Sequence, residues 1–128
     1  MNFQWRLLLH VAVRLLASVP EEREIRSAIN RAYYAALGEA REYSLVHGLI
    51  MRRGRPSHDQ VWQFLRNGAT YSQTWEEAAA KAIGDIGVVL RTLRVQADYF
   101  LANPPSEADA RLAVELANLI IKRLQGMP

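Results

Sequence analysis

Residues 23–37 read REIRSAINRAYYAAL, an alanine-rich stretch with two internal arginines, an asparagine and a pair of adjacent tyrosines. Apolar side chains recur along it at helical spacing, with a stripe formed by Ile25, Ala28, Ile29, Ala32 and Ala36. Alanine is small, so this stripe would let another helix approach closely. The stretch therefore predicts a long amphipathic helix over about residues 20–46.

The same helical period continues along the rest of the chain, and no segment alternates polar and apolar residues as a strand does. The chain has 128 residues, of which 50% are hydrophobic, which is enough for one core. We expect an all-α, up-and-down bundle of about five helices, two of them long, in a single domain over residues 1–128. The other helices are predicted at residues 3–17, from 57 or 59 to about 66, 75–101 and 106–125.

Local capping patterns set these boundaries. Ser18 with Glu21, and Thr74 with Glu77, have the spacing of a capping box and predict the starts of the two long helices. Ser106 is expected to begin the last helix, whose stripe is Ala110, Val114, Ala117, Ile121 and Leu124.

Two further features of the helices bear on packing. Gly84 and Gly87 lie inside the second long helix, where glycine is unfavourable, and they predict either close packing or a local break. In the first helix, the residues expected to be buried are Phe3, Trp5, Leu7, Leu8, Val11 and Leu15.

Composition restricts the classes of function. The chain has no cysteine, which excludes disulfides and thiolate chemistry and agrees with a cytoplasmic protein.

No apolar run approaches the roughly 20 residues of a membrane-spanning helix. His10 and Arg14 interrupt the apolar start of the chain, so we interpret it as a retained helix and not as a signal peptide. No pattern predicts a metal site or a cofactor site. The net charge of +3 is compatible with nucleic-acid binding and equally with ordinary solubility.

The polar residues of the first long helix permit two interpretations. Arg31 and Tyr34 point further round than the residues along one edge of the apolar stripe, which are Arg26, Asn30, Tyr33 and Leu37. They could form a buried hydrogen-bond network, or they could bind an anionic ligand. On the second long helix, Arg94 and Asp98 are one turn apart and predict an ion pair, and Tyr99 follows them. The sequence leaves both interpretations open.

His47 and His58 flank a loop that contains Arg52, Arg53 and Arg55. The three arginines could hold phosphate groups, or they could be an ordinary solvated loop. His58 is near a predicted helix start, where the helix dipole would lower its pKa and favour neutral imidazole. The two histidines are therefore the candidates for proton transfer.

Four segments resemble the HEPN domain, the helical domain named for higher eukaryotes and prokaryotes and nucleotide binding: RSAINRAYYAAL, SHDQVWQFL, LRTLRVQADYF and EADARLAVELANLIIKRL. The resemblance covers the chain from Arg23 onward. It implies a helical bundle that commonly forms homodimers. Many members are toxins or defence proteins that cleave RNA without metal, often encoded beside a minimal nucleotidyltransferase that acts as antitoxin. Other members bind nucleotides or RNA without catalysis.

The chain departs from the catalytic members at one position. Those members carry an arginine followed by a histidine on a late helix; here the arginine would be Arg94, and Tyr99 takes the place of the histidine. Tyrosine is a poor base near neutral pH. Arg41 and His47 have a similar spacing, but they lie on the early helix.

Two functions remain from the resemblance and the residues. The first is a toxin or defence protein that binds RNA as a homodimer, with metal-independent cleavage left open. The alternative is a non-catalytic module that binds a nucleotide or a nucleotidyltransferase partner. The candidate catalytic residues are Arg94, Asp98, Tyr99, His58 and His47, and the candidate ligand-binding residues are Arg26, Asn30, Arg31, Tyr34, Arg52, Arg53 and Arg55.

Overall fold

The computed structural model describes residues 4–51 and 53–128. Within these ranges the chain forms five helices and no strand: α1 (Leu7–Leu15), α2 (Glu22–Val46), α3 (His58–Arg66), α4 (Thr74–Tyr99) and α5 (Glu107–Gln125). Two of them are long, with 25 residues in α2 and 26 in α4. The predicted all-α bundle is therefore confirmed. None of the described helices is both long enough and apolar enough to cross a bilayer.

Helix α2 lies at the centre of the bundle and contacts each of the other four helices. The buried alanines of α2 are Ala28, Ala32, Ala35, Ala36 and Ala40, and those of α5 are Ala110, Ala113 and Ala117. Side chains of this size allow helix axes to approach closely. The alanine stripe seen in the sequence is thus the surface on which the bundle is assembled.

Helices α3 and α4 meet at Trp62, which is 1% exposed. Its indole ring lies where a side chain at Gly87 would be, and its main chain lies close above Gly84. The two glycines therefore mark close packing inside a continuous α4, without a break. This contact fixes the first turn of α3, which carries His58, beside the middle of α2 and α4.

The first helix differs from the prediction. It begins at Leu7, and its buried residues are Leu9 and Ala12, followed by the buried C-cap Leu16, whereas Leu7 and Val11 are 47% and 40% exposed. The expected burial of Leu7 and Val11 was wrong because several leucines in this helix can form an apolar stripe, and contact with α2 and α5 selects one of them. Phe3 lies outside the described residues.

The start of α2 also differs from the prediction. Ser18 was expected to cap it, but the helix begins at Glu22, and the N-cap is Glu21. The main-chain N–H of Glu21 donates to the Glu24 carboxylate over 3.0 Å. Two capping registers overlap here, and a carboxylate at the positive end of the helix dipole is favourable.

At α4 the N-cap is Gln73 and not Thr74, and the helix ends at Tyr99, two residues before the predicted end. Helices α3 and α5 begin as predicted. Ser57 and Ser106 each accept a hydrogen bond from the main-chain N–H three residues further on, over 3.1 Å in both cases.

Candidate nucleic-acid interface

Arg94 is the centre of the candidate site. Its Nε lies 2.8 Å from Oδ2 of Asp98, and the two side chains are 13% and 22% exposed, so this predicted ion pair is largely shielded from water. The guanidinium carbon lies 5.3 Å from the ring centres of Tyr34 and Tyr99 and 5.9 Å from that of Tyr33. Burial opposes the charge of Arg94, but Tyr34, Asp98 and Tyr99 together raise its pKa. The guanidinium is thus held in place as a permanent cation.

A chain of hydrogen bonds extends from this ion pair back to α2. The amide of Asn30 donates to Oδ2 of Asp98 over 3.0 Å, and Arg31 donates to the amide oxygen of Asn30 over 2.7 Å. Arg31 itself is exposed. Asn30 therefore serves to position Asp98, and Arg31, at the outer end of the chain, is its exposed member.

Arg26 has a structural position. Its Nη1 donates to the carbonyl oxygen of Ala97 over 2.7 Å, and its Nη2 donates to Glu22 over 2.8 Å. Ala97 belongs to the last turn of α4, whose carbonyl groups have no partner within the helix. Arg26 thus ties the C-terminal end of α4 to the first turn of α2, and the structure does not place it at the face of Tyr34.

Tyr33 is fully buried and links two side chains of α3. The indole Nε1 of Trp62 donates to the Tyr33 hydroxyl over 3.1 Å, and that hydroxyl lies 2.9 Å from Nδ1 of His58. Indole nitrogen is only a donor, so the hydroxyl accepts from Trp62. Among the described residues, Nδ1 of His58 is the one acceptor within reach of the hydroxyl's own hydrogen, so we assign Nδ1 as the acceptor. Neutral His58 therefore carries its proton on Nε2, which has no hydrogen-bond partner among the described residues.

His58 is kept neutral by its surroundings. Burial and then the charges of Arg91, Arg94 and Arg41 lower its pKa, and these outweigh the opposite effect of Asp59. The sequence predicts the same direction but a different cause, the helix dipole.

The remaining arginines of the site come from α4 and from the loop before α3. Arg91 donates to Asp59 over 2.8 Å. Arg53 and Arg55 are exposed, and neither has an ion-pair partner among the described residues. Arg52, the third arginine predicted in this loop, lies outside them. Asp59 and Asp98 are then the acidic side chains that pair with the arginines of the site.

His47 is in a different cluster. Its ring stacks on Tyr43 with 3.9 Å between centres, Nδ1 lies 2.8 Å from the carbonyl oxygen of Tyr43, and Nε2 lies 2.8 Å from a main-chain oxygen of Pro128. Both ring nitrogens therefore have oxygen partners. The structure does not bring His47 together with Arg94 or His58.

Sequence reasoning missed the buried partners of the site. Tyr33 and Trp62 were not among the candidate residues, and no local pattern shows that they share a hydrogen-bond chain with His58. Arg41 was considered only for its spacing from His47 and was not among the candidates. The signal for Arg41 was its position seven residues after Tyr34, which places both side chains on one face of α2.

Comparisons with family models, with curated proteins and with solved structures found no match to this chain. The assignment to the HEPN family therefore stays a prediction that rests on the four segments quoted above. Within the part of the chain that the structure describes, no group of three or more His, Asp and Glu side chains is arranged to hold a metal ion.

Proposed function

We propose that the protein is a HEPN-like member of the toxin and defence class that binds RNA through the Tyr34 face. This name denotes Tyr34, His58, Arg91 and Arg94, together with Tyr99 at its edge. The observation that carries the proposal is the position of the half-exposed Tyr34, whose ring centre lies 5.3 Å from the guanidinium carbon of Arg94 and 5.7 Å from the ring centre of His58.

The chemistry of these side chains suits a single-stranded nucleic acid. Guanidinium groups bind phosphate oxygens with a planar pair of donors, and aromatic rings stack on bases. Tyr34 is half-buried and lies against Arg94 and the ring of His58. The Tyr34 and His58 rings are nearly perpendicular, with 5.7 Å between their centres. A base on the tyrosine and a phosphate on the arginine can thus be held by adjacent groups.

The hydrogen bond from Tyr33 favours binding over cleavage. A general base for RNA cleavage must accept a proton from the 2′-hydroxyl, yet Nε2 of His58 already carries a hydrogen when Nδ1 accepts from Tyr33. His58 therefore offers a donor to a phosphate group. Tyr99, which replaces the histidine of the catalytic members, lies against Arg94 and is 64% exposed.

The test is fluorescence anisotropy with a labelled 12-nucleotide single-stranded RNA and wild type, Arg94→Gln and Tyr34→Ala. Each variant should weaken binding about 10-fold or more, since one stacked base contributes about 1–3 kcal/mol. Arg123→Gln, at an exposed arginine in the last turn of α5, is the matched control and should bind as wild type does. Circular dichroism confirms that each variant is folded.

Cleavage is measured on the same RNA in EDTA. We expect binding without cleavage. Cleavage by wild type that is lost in His58→Ala would contradict the tautomer assignment and establish a metal-independent ribonuclease. Absence of RNA binding by wild type at low salt would overturn the proposed function.

A second proposal concerns the homodimer that the resemblance implies. The observation that favours it is an open apolar groove of about 640 Å³ on α4, whose lining includes Val88, Val95 and Phe100 and reaches Arg91 of the Tyr34 face. Phe100 is 56% exposed. A second copy seated there would cover apolar surface and bring two Tyr34 faces near each other.

Sedimentation equilibrium of wild type and Phe100→Ser tests the dimer. We expect a concentration-dependent dimer for wild type and a monomer for the variant. Val19→Ser removes a side chain that is 91% exposed elsewhere and is the control. A wild type that stays monomeric at all concentrations would show that the dimer proposal is wrong.

A further inference from the structure

The outer side of α1 carries three basic side chains in a row. Arg6, the N-cap, has helical main-chain angles, and His10 and Arg14 follow it at intervals of four residues, so the three lie along one side of the helix. The row is about 12 Å long. All three residues are exposed, and none of their side chains has a hydrogen-bond or ion-pair partner within the described residues. The first acidic residue of the chain, Glu21, comes only after α1.

Exposed apolar side chains lie on both sides of this basic row. Successive residues of a helix are about 100° apart, which places Leu7 and Val11 on one side of the row and Val13 on the other. These three side chains are 47%, 40% and 50% exposed. Val13 also lines a groove of about 200 Å³ between α1 and α5, together with Leu16 and Val114. We use the name α1 surface for Arg6, Leu7, His10, Val11, Val13 and Arg14.

The bundle does not use the α1 surface. Among the described helices, α1 contacts α2 and α5, and it is attached to them through Leu9, Ala12 and the C-cap Leu16. Single exposed apolar residues are common, and the surfaces of soluble proteins usually mix charges of both signs. The α1 surface combines three apolar side chains with charges of one sign only. It therefore has the composition of an interface for an anionic partner.

The order of the groups around α1 identifies the kind of partner. A nucleic acid would pair with the basic row but would leave the apolar side chains on both sides uncovered. A helix that lies on a lipid bilayer has its apolar side chains in the middle of the buried face and its basic ones at the edges, which is the reverse of the order here. A protein helix can match both features, because carboxylates four residues apart form a row of the same spacing, with room for apolar side chains beside it.

A second copy of this chain does not supply such a helix. No two acidic residues in the sequence are four positions apart. Two α1 surfaces facing each other would also bring like charges together, which is unfavourable. The partner is therefore a different protein.

We propose that the α1 surface binds an acidic amphipathic helix of a different protein, with carboxylates at every fourth position and apolar side chains on both sides of them. The carboxylates pair with Arg6, His10 and Arg14, and the apolar side chains cover Val13 on one side and Leu7 with Val11 on the other. This interaction is separate from the proposed binding of RNA, because the Tyr34 face is built from α2, α3 and α4.

The experiment uses a synthetic helical peptide as the probe. The peptide has about 18 residues, or five turns, with glutamate at every fourth position and leucines on both sides of that row. Its binding to the full chain is measured by fluorescence anisotropy at low salt. A peptide of the same composition in scrambled order is the control. We expect wild type to bind the ordered peptide and not the scrambled one, and added salt should weaken the binding.

Paired variants test the basic row and the apolar side chains separately. Arg6→Gln with Arg14→Gln, and Leu7→Ala with Val11→Ala, should each weaken peptide binding about 5-fold or more. Lys122→Gln with Arg123→Gln removes two exposed basic side chains from the last turn of α5 and should bind as wild type does. All the substituted residues are exposed, and circular dichroism checks that each variant keeps its helices.

Three results would overturn the proposal. The first is that wild type does not bind the ordered peptide, or binds the scrambled one equally well. The second is that the 12-nucleotide RNA displaces the peptide while the Leu7 and Val11 variant binds as wild type does, which would assign the basic row to nucleic acid. The third is cosedimentation with vesicles of phosphatidylcholine and phosphatidylglycerol that is lost in the Arg6 and Arg14 variant, which would assign the surface to a membrane.

Failure of this proposal is distinguishable from failure of the proposed function. RNA binding that is weakened by Arg94→Gln and unchanged by the Arg6 and Arg14 variant supports the Tyr34 face whether or not the peptide binds. Peptide binding without RNA binding would overturn the proposed function and leave the α1 surface as an interface for a protein.

Discussion

Two histidines in this protein pack against tyrosines of the same helix, yet only one of them lies in a candidate site. His47 stacks on Tyr43, and both of its nitrogens face main-chain oxygens. Nδ1 of His58 is hydrogen-bonded to the Tyr33 hydroxyl, while Nε2 of His58 has no partner within the described residues. The presence of histidine beside tyrosine is therefore uninformative until the partners of both ring nitrogens are known.

The clusters around His58 and His47 also differ in the charges that surround the imidazole. Arg91, Arg94 and Arg41 lower the pKa of His58, after burial. The groove beside His47 is lined instead by apolar side chains and by two acids, Glu39 and Glu42. An anion would be attracted to the first cluster and repelled by the second. The charged side chains that surround each histidine therefore decide which of the two can bind an anionic ligand.

The largest expected effect is a loss of stability when the buried packing of the cluster around His58 is removed. Trp62→Ala should lower the free energy of unfolding by about 3–5 kcal/mol, because it removes a fully buried indole from between α3 and α4. Tyr71→Ala, in the His47 cluster, truncates a half-buried ring and should cost less. Urea unfolding measures both, and equal losses would contradict the ranking of the two clusters.

A smaller effect is expected from one hydroxyl group. Tyr33→Phe should cost about 1–3 kcal/mol, because it leaves the buried Nε1 of Trp62 without an acceptor. Tyr43→Phe removes a hydroxyl that lies beside that of Tyr71 in a half-buried position, and it should cost less. Long-range nitrogen–proton NMR spectra should also show that His58 loses its preference for the Nε2 proton in Tyr33→Phe. An unchanged tautomer in that variant would disprove the role of Tyr33.

The pH dependence of stability is the third test. The pKa of His58 is lowered in the folded protein, so between that pKa and the unfolded value of about 6.5 the unfolded chain binds more protons. Stability should therefore be complete above about pH 6.5 and should fall as the pH drops below it. His58→Gln should reduce this slope, whereas His10→Gln, at an exposed position, is the reference. An identical slope in both variants would contradict a neutral His58.

The smallest effect is expected at the solvent end of the α2 network. Arg31 is exposed and donates to Asn30, so Arg31→Ala should change the free energy of unfolding by no more than about 0.5 kcal/mol. Thermal unfolding measures this change. A loss above about 1 kcal/mol would place Arg31 in the structural network and not at its edge.

Much of the fold follows from the sequence. The alanine stripe of α2 and the stripe of α5 contain residues that the structure buries, and Val46 ends α2 as expected. The errors occur where local patterns are degenerate. Glu21 could complete a capping box with Ser18 or begin one with Glu24, and α1 has enough leucines for more than one stripe. Packing against the rest of the bundle decides which capping box and which apolar stripe form.

The sequence by itself determined the helices, the polar residues along the edge of the α2 stripe, and the pairing of Arg94 with Asp98. These features depend on groups within one or two helical turns. Only the tertiary structure decided that Tyr33 fixes the tautomer of His58, 25 residues away, and that Asn30 holds Asp98, 68 residues away. It also decided that arginines of α2 and α4 lower the pKa of the same imidazole. The physical reason is that hydrogen bonds and charges act through space, so their partners are set by how the helices pack and not by their spacing along the chain.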